Sequence, residues 1–305
     1  MTVLVIVGPT AVGKSTLGVA VARRLAGAGA SAEIISADSM QAYVGMDIGT
    51  ATPTEQERGG VPHHLLDVWP VDHLLTVADF QQAARAAIDE VLVRGALPIV
   101  VGGSGLYVSA ILDDLQFPGT DAGVRARYEE QLQQLGPEAL HAQLAERDPQ
   151  AAAAILPTNG RRIVRALEVI EITGEPFIAQ LPDPVERYPC VRVGLQIPRG
   201  ELDARIAERV HAMFDAGFID EVRALPGLAA TPTASKALGY AQVLGYLAGE
   251  CSLDQAIETT IAITRKFARR QQRWFARDAR ISWLDYKEPL LVDRVCALLG
   301  EETRQ

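Results

Sequence analysis

Residues 3–15 read VLVIVGPTAVGKS. The aliphatic run Val3 to Val7 ends in Gly8-Pro9-Thr10-Ala11-Val12-Gly13-Lys14-Ser15, the spelling G-x-x-x-x-G-K-S of a phosphate-binding loop. Short, β-branched and apolar, the run reads as a buried parallel strand. Residues 14–27 then read as a helix, with Leu17, Val19, Val21 and Leu25 among its apolar positions. Strand, glycine loop and helix are the context that the motif requires. The loop N–H groups and the helix N-terminus form an anion site. Lys14 would reach a terminal phosphate, and the Ser15 hydroxyl would ligate Mg²⁺. The motif leaves open which polyphosphate is held, and whether it belongs to a nucleotide.

Working outward, residues 33–36 read as a second short strand ending at Asp38-Ser39, residues 77–94 as a helix, and LPIVVGG (97–103) as a third strand with a glycine turn. Leu106 to Leu112 starts another helix. Strands alternating with helices imply a parallel sheet with helices on both faces. From about 118 to 188 the patterns are helical, punctuated by Pro118-Gly119 and Pro182-Asp183-Pro184. CVRVGLQI (190–197) returns to strand character; helices follow at roughly 200–225, 235–248 and 253–277, then a last strand at ISWLD. The expected fold is therefore α/β, a P-loop NTPase-like parallel sheet flanked by helices with an all-helical insertion domain. The core comprises 1–117 plus 189–305, and the insertion 118–188.

The 305 residues are 48% hydrophobic and 22% charged, ordinary for a globular protein with a sizeable core. Cys190, Cys251 and Cys296 lie far apart, which argues against a zinc site and a disulfide framework. The N-terminus has no basic n-region and runs straight into the loop, so no signal peptide is read there. No stretch approaches the ~20 apolar residues of a membrane span. A cytoplasmic protein without membrane partners is expected.

Asp38 is the obvious carboxylate to work beside the loop, because ligands of open α/β sheets bind at the carboxyl ends of strands. A turn or N-cap role is the plainer alternative. No apolar strand elsewhere ends in a Walker-B-like Asp, which weakens a motor-ATPase reading. Net charge is −9, yet TRKFARRQQRWFARDAR (264–280) carries seven Arg/Lys and one acid. Arg265, Arg269, Arg273 and Arg277 recur every four residues and so share one side of a helix. Arg161, Arg162 and Arg165 form a second basic cluster in the insertion. On an acidic protein, two such clusters suggest contacts to a phosphate backbone. Adjacent His63 and His64 make a poor pair of ligands for one ion.

These residues together resemble the tRNA dimethylallyltransferases, also called tRNA isopentenyltransferases, of bacterial type. The matching stretches are GPTAVGKS, ISADSMQAYVGMDIGTATP, PHHLLD, ADF, VGGSGLY, RRIVRALEVIEITG, GFIDEV, ALGYAQ and TRKFARRQQRWF, in the family's order over about residues 3 to 285. The resemblance implies transfer of a dimethylallyl group from dimethylallyl diphosphate to N6 of the adenosine just 3′ of the anticodon. The tRNAs concerned read codons beginning with U, and pyrophosphate is released. It implies that Gly8 to Ser15 hold the diphosphate, that Asp38 takes the amine proton, and that Thr10, Lys14 and Mg²⁺ stabilise the leaving group. Asp38, Ser39, Met40 and Gln41 would bind the flipped base, with Ser104 nearby. Arg161, Arg162, Ile163, Val164 and Arg165, with Arg127, would grip the anticodon stem-loop. Lys236 stands where relatives place a diphosphate-binding arginine; a lysine is a point charge without the bidentate fork. A monomer is expected.

Three other readings share parts of this pattern. A prenyltransferase acting on free adenine nucleotides would keep the loop and Asp38 but need no RNA-gripping insertion. A nucleotide or small-molecule kinase would consume ATP and carry an arginine-rich lid. A non-catalytic RNA-binding protein would have no use for an intact Gly13-Lys14-Ser15 with Asp38.

Overall fold

A computed structural model describes residues 2–179 and 183–302. In chain order the elements are β1 (Val3–Val7), α1 (Lys14–Ala26), β2 (Ala32–Ser36), α2 (Glu55–Arg58), β3 (His63–His64), α3 (Val77–Val93), β4 (Leu97–Gly102), α4 (Gly105–Leu112), α5 (Ala122–Arg147), α6 (Pro149–Ala154), α7 (Gly160–Thr173), β5 (Cys190–Gln196), α8 (Arg199–Asp215), α9 (Phe218–Arg223), α10 (Tyr240–Leu247), α11 (Leu253–Phe275), β6 (Ile281–Asp285) and α12 (Leu291–Glu302). They form two compact units, 1–113 with 186–305, and 114–185.

The first unit is built on a six-stranded sheet in the order β3-β2-β4-β1-β5-β6, parallel throughout. Both faces are covered. Val3, Val5 and Val7 belong to one hydrophobic cluster, Leu4 and Ile6 to the other. Period-two alternation between two buried faces is why β1 reads as an unbroken apolar run. β4 lies between β1 and β2, so the loop after β1 and the Asp38 segment after β2 flank its carboxyl end. That end is Gly102-Gly103. A Cβ on Gly102 would come within 2.6 Å of the Ala37 Cβ, and one on Gly103 would collide with the Gln271 amide. The glycines let neighbouring chain close over the strand end.

Differences from the sequence reading are local. Residues 200–225 are two helices, because Gly217 takes φ 98° between α8 and α9. Residues 235–248 begin as a short 3-10 turn at Ala234–Lys236, and α10 starts only after Gly239 at φ 88°. Neither β3, two residues at the sheet edge, nor α2 is visible in the sequence; both are too short to show a period. α12 is a further addition, although Leu291, Val292, Val295, Leu298 and Leu299 recur at helical spacing and join the cluster that α1 covers.

The second unit contains α5, α6 and α7. α5 breaks at Gly136, with φ 79°, before Pro137, where the sequence suggests two helices. Its core holds Tyr128, Leu140, Leu144, Ile163 and Leu167. The fully buried Glu168 accepts from Arg125 at 2.7 Å and Arg165 at 2.9 Å. The unit spans 114–185 rather than 118–188, because the chain is already paired at its neck. Asp114 donates its N–H to the Val185 carbonyl at 2.7 Å, and Asp113 bridges Glu186 in antiparallel fashion. Pro182, one of the punctuating prolines, lies outside the described residues.

Within the first unit Asp113 is buried against Arg192 (3.3 Å) and Arg280 (2.8 Å), and Arg192 also meets Glu186 (3.0 Å) and Asp278 (3.5 Å). Arg192 and Asp113 are 5% and 2% exposed, so the pair is desolvated. Removing one member of a buried pair strands the other charge. Arg192→Ala is expected to cost about 3 kcal/mol in urea unfolding; a cost under about 1 kcal/mol would put the network in the class of solvated surface pairs.

Candidate active site: a phosphate loop facing Asp38

The loop has the left-handed kinks that its spelling needs. Gly8, Ala11 and Gly13 take φ of 148°, 64° and 104°. At Gly8 a Cβ would stand 3.0 Å from the Leu195 carbonyl oxygen. Ala11 carries a Cβ in a conformation that costs most residues about 1 kcal/mol or more, so it must be held from outside. Arg205 Nε donates to the Ala11 carbonyl at 2.8 Å, and the Thr10 N–H donates to Gln271 Oε1 at 2.8 Å. Helices α8 and α11 thus brace the loop. The Thr10 amide is thus engaged within the protein, and the residue is half-buried. Val12 turns into the core. Lys14 Nζ donates to the Pro9 carbonyl at 2.7 Å, and Ser15 is exposed at the start of α1.

Charge is concentrated above this loop. Burial, then Arg209, pull the Lys14 amine from its usual 10.5 down to about 7, against the opposing pull of Asp38. Burial likewise lowers the Arg209 guanidinium, against Asp38 and Glu57. Two basic groups and one carboxylate therefore lie within electrostatic reach of one another beside the loop. Arg209 is an addition to the site residues expected from the sequence. Its signal is nonetheless there: Arg205 and Arg209 sit four apart on α8, one turn of one face. Arg205 braces the loop, while Arg209 faces Lys14 and Asp38 and donates to the Thr50 carbonyl at 3.3 Å. Lys236 is the exposed last residue of the 3-10 turn, and among the described residues no bond joins it to the loop.

The segment after β2 is tied to itself. Asp38 Oδ1 accepts from the Met40 N–H at 3.0 Å, which aims the carboxylate; its second oxygen accepts no hydrogen bond among the described residues. The Asp38 N–H donates to Ser36 Oγ at 3.3 Å, and that hydroxyl donates to Gln41 Oε1 at 2.9 Å. Gln41 Nε2 reaches the carbonyls of Thr50 (3.3 Å) and Ala51 (3.2 Å). Gln41 is thereby a strut within the protein, tying the 38–41 turn to the Thr50–Ala51 backbone. Ser39 is buried near the Tyr107 hydroxyl, whose pKa burial raises. Asp38, Met40 and Gln41 are the partly exposed members of this tetrad, and Ser39 the buried one. Ser104 precedes α4 between two close-packed glycines: Gln271 fills the space beside Gly103, and the Trp274 indole that beside Gly105.

The basic clusters divide once their partners are seen. Ile163 and Val164 are 0% and 3% exposed in the helical unit's core, so their side chains pack α7 and do not reach a ligand. Arg165 is held by Glu168 and by the carbonyls of Pro118 (2.7 Å) and Gly119 (3.1 Å). Arg162 donates to the Ala179 carbonyl, and Arg127 pairs with Glu171. Arg161 is exposed and makes no bond among the described residues. On α11, Arg265 and Arg269 both approach Asp203 of α8, at 3.9 and 3.8 Å, and Arg277 falls past the helix end. The neutralising acid comes from another helix, which sequence spacing does not reveal.

A parallel sheet that aims a braced phosphate loop, two basic side chains and one carboxylate into a crevice defines a P-loop group-transfer enzyme. Comparison with known proteins makes this particular. The profile of the IPP transferase family matches residues 41–278. The tRNA dimethylallyltransferase of Thermobifida fusca is 63% identical over 304 residues, covering 99% of this chain and 95% of its own. That of Streptomyces coelicolor is 59% identical over 284 residues, covering 92% and 89%. Among solved structures, the tRNA isopentenylpyrophosphate transferase of Bacillus halodurans superposes with TM-score 0.71 at 38% identity, covering 99% of this chain and 98% of its own. A eukaryotic dimethylallyltransferase acting on tRNA gives TM-score 0.76 at 26% identity, over 93% and 74%. The chain belongs to the IPP transferase family. Among the described residues no helix is long and apolar enough to cross a membrane.

Proposed function

We propose that the chain transfers a dimethylallyl group from dimethylallyl diphosphate to N6 of the adenosine 3′ of the anticodon, in tRNAs reading U-initial codons. It acts as a monomer in the cytoplasm. The observation that carries this reading is the placement of Asp38 beside Lys14 and Arg209. A carboxylate with one free oxygen suits an acceptor that must lose a proton, and the match to the IPP transferase family favours an amine over a kinase's hydroxyl.

An exocyclic amine is a poor nucleophile, since its lone pair is delocalised into the ring. As the N6–C1 bond forms, the free Asp38 oxygen takes the amine proton. The C1–O bond breaks with its electron pair leaving on pyrophosphate. Lys14, Arg209, the Thr10 hydroxyl and the loop amides meet the charge that grows there. An adenine stacked in a loop must be flipped out to reach Asp38. The Ser15 hydroxyl offers a hard oxygen donor, which suits Mg²⁺, an ion that completes its shell with water and phosphate oxygens. Bound there, Mg²⁺ would add charge stabilisation to the diphosphate. Lys236, exposed on its turn, joins the diphosphate only if that turn closes over it.

The test is a transfer assay with Mg²⁺ and labelled dimethylallyl diphosphate. One tube holds unmodified tRNA, a second free AMP, and a third ATP alone. Label in the tRNA supports the reading. Label in AMP alone favours the nucleotide prenyltransferase, and ATP turnover without label favours a kinase.

For the helical unit we propose anticodon stem-loop contact through Arg161 and Arg162, with Arg127 beside them and Arg165 setting the helix. Arg161→Ala with Arg162→Ala is expected to weaken tRNA binding and flatten its salt dependence, by about 0.7–0.9 in log–log slope for each phosphate no longer neutralised. An unchanged slope in a filter-binding titration would remove this unit from the interface.

A further inference from the structure

The acid Glu221 of α9 lies outside the crevice, yet it is bonded more densely than any residue within it. Its Oε2 accepts from the N–H of Asp47 at 3.0 Å and of Ile48 at 2.5 Å, and its Oε1 from the N–H of Gly49 at 3.1 Å. The Tyr240 hydroxyl donates to the same Oε1 at 2.5 Å. Burial, then this carboxylate, push the Tyr240 phenol above its usual range, so it stays a donor. Three successive amides turned onto one carboxylate make an anion nest, with a side chain as its anion. Gly49 has room only as glycine: a Cβ would collide with the rings of Phe218 and Tyr240.

This clamp fixes the next two residues. The Thr50 hydroxyl bonds back to the Met46 carbonyl at 2.5 Å, and Ala51 takes φ 51°. The Thr50 carbonyl then accepts from both Gln41 and Arg209, and the Ala51 carbonyl from Gln41. Gln41 holds Ser36 Oγ, which receives the Asp38 N–H. One peptide carbonyl thus supports the basic residue facing the loop and the strut behind the carboxylate.

The geometry points to Glu221 as a positioning residue of the transfer reaction, which sets Asp38 and Arg209 together through the 47–51 loop. This rests on the assignment of those two residues to the site. Hydrogen-bonded charged groups are the strong, directional ones, so the carboxylate is suited to hold three amides where an amide side chain is not. Glu221→Gln places an N–H donor against N–H donors and loosens the loop.

Loosening by about an ångström is expected to reduce kcat/KM by up to about 100-fold, with KM for dimethylallyl diphosphate raised and kcat lowered together. Glu221→Asp keeps the charge and is expected to recover part of both. The wild-type chain runs alongside. If the wild type itself shows no transfer to tRNA, the site assignment fails; if it transfers and folded Glu221→Gln matches it in kcat and KM, the positioning role alone fails. Loss of folding in both variants, read by circular dichroism, would make Glu221 a stability residue and overturn the inference equally.

Discussion

Asp38→Asn is expected to lower transfer to tRNA by about 10²–10⁴-fold while tRNA affinity stays near the wild-type value. The substitution keeps the shape of the side chain. The oxygen that accepts from the Met40 N–H can remain an oxygen, so the turn after β2 stays closed. What is lost is the basic oxygen that faces the crevice. General-base assistance by a placed side chain contributes about 10²–10⁴-fold, and a loss in that range is expected in kcat at saturating substrates. Lys14 also loses the one neighbour that favours its charged form. Diphosphate affinity should therefore not rise, although a negative charge has left the site. Single-turnover transfer beside a tRNA binding titration separates the two effects. Equal loss in both would mean that Asp38 holds the fold of its segment and does no chemistry.

The phosphate loop is fully legible in the sequence, because its chemistry is local: eight consecutive residues specify a strand end, left-handed glycines and a helix start. Asp38 is legible from topology, since it follows a strand at the end where ligands bind. Arg209 shows in the sequence only as the helix-face neighbour of Arg205, and Glu221 not at all. Each acts across a sequence gap of more than a hundred and fifty residues, onto Thr50 and onto Asp47 to Gly49, and no local period marks such a pairing. Gln41 and Arg165 are legible as polar residues in the right region, but burial and bonding spend them on struts. Ile163 and Val164 stand next to two arginines in sequence, yet their side chains lie on the other side of the helix, in its core. The fold is easier to read, because β1, β4 and β5 are buried on both faces and so declare themselves by composition.

Lys14→Met is expected to lower kcat/KM for dimethylallyl diphosphate by about 10²–10³-fold, the scale of losing one donor aimed at developing charge. The larger interest is its pH dependence. Burial and Arg209 hold the amine of the free protein near 7, so much of Lys14 is neutral at physiological pH. The negative diphosphate favours the charged amine and raises its pKa on binding. The sign follows from linkage. Below about pH 7 the amine is already protonated and binding moves no proton. Above it, binding must take up a proton, so affinity falls as pH rises until the bound-state pKa is passed. Calorimetry at about pH 8, in buffers of different ionisation enthalpy, reads this uptake directly. The wild type should bind with uptake of up to one proton, and Lys14→Met with close to none. Equal uptake by both would assign the proton to the diphosphate itself, and would leave Lys14 charged throughout.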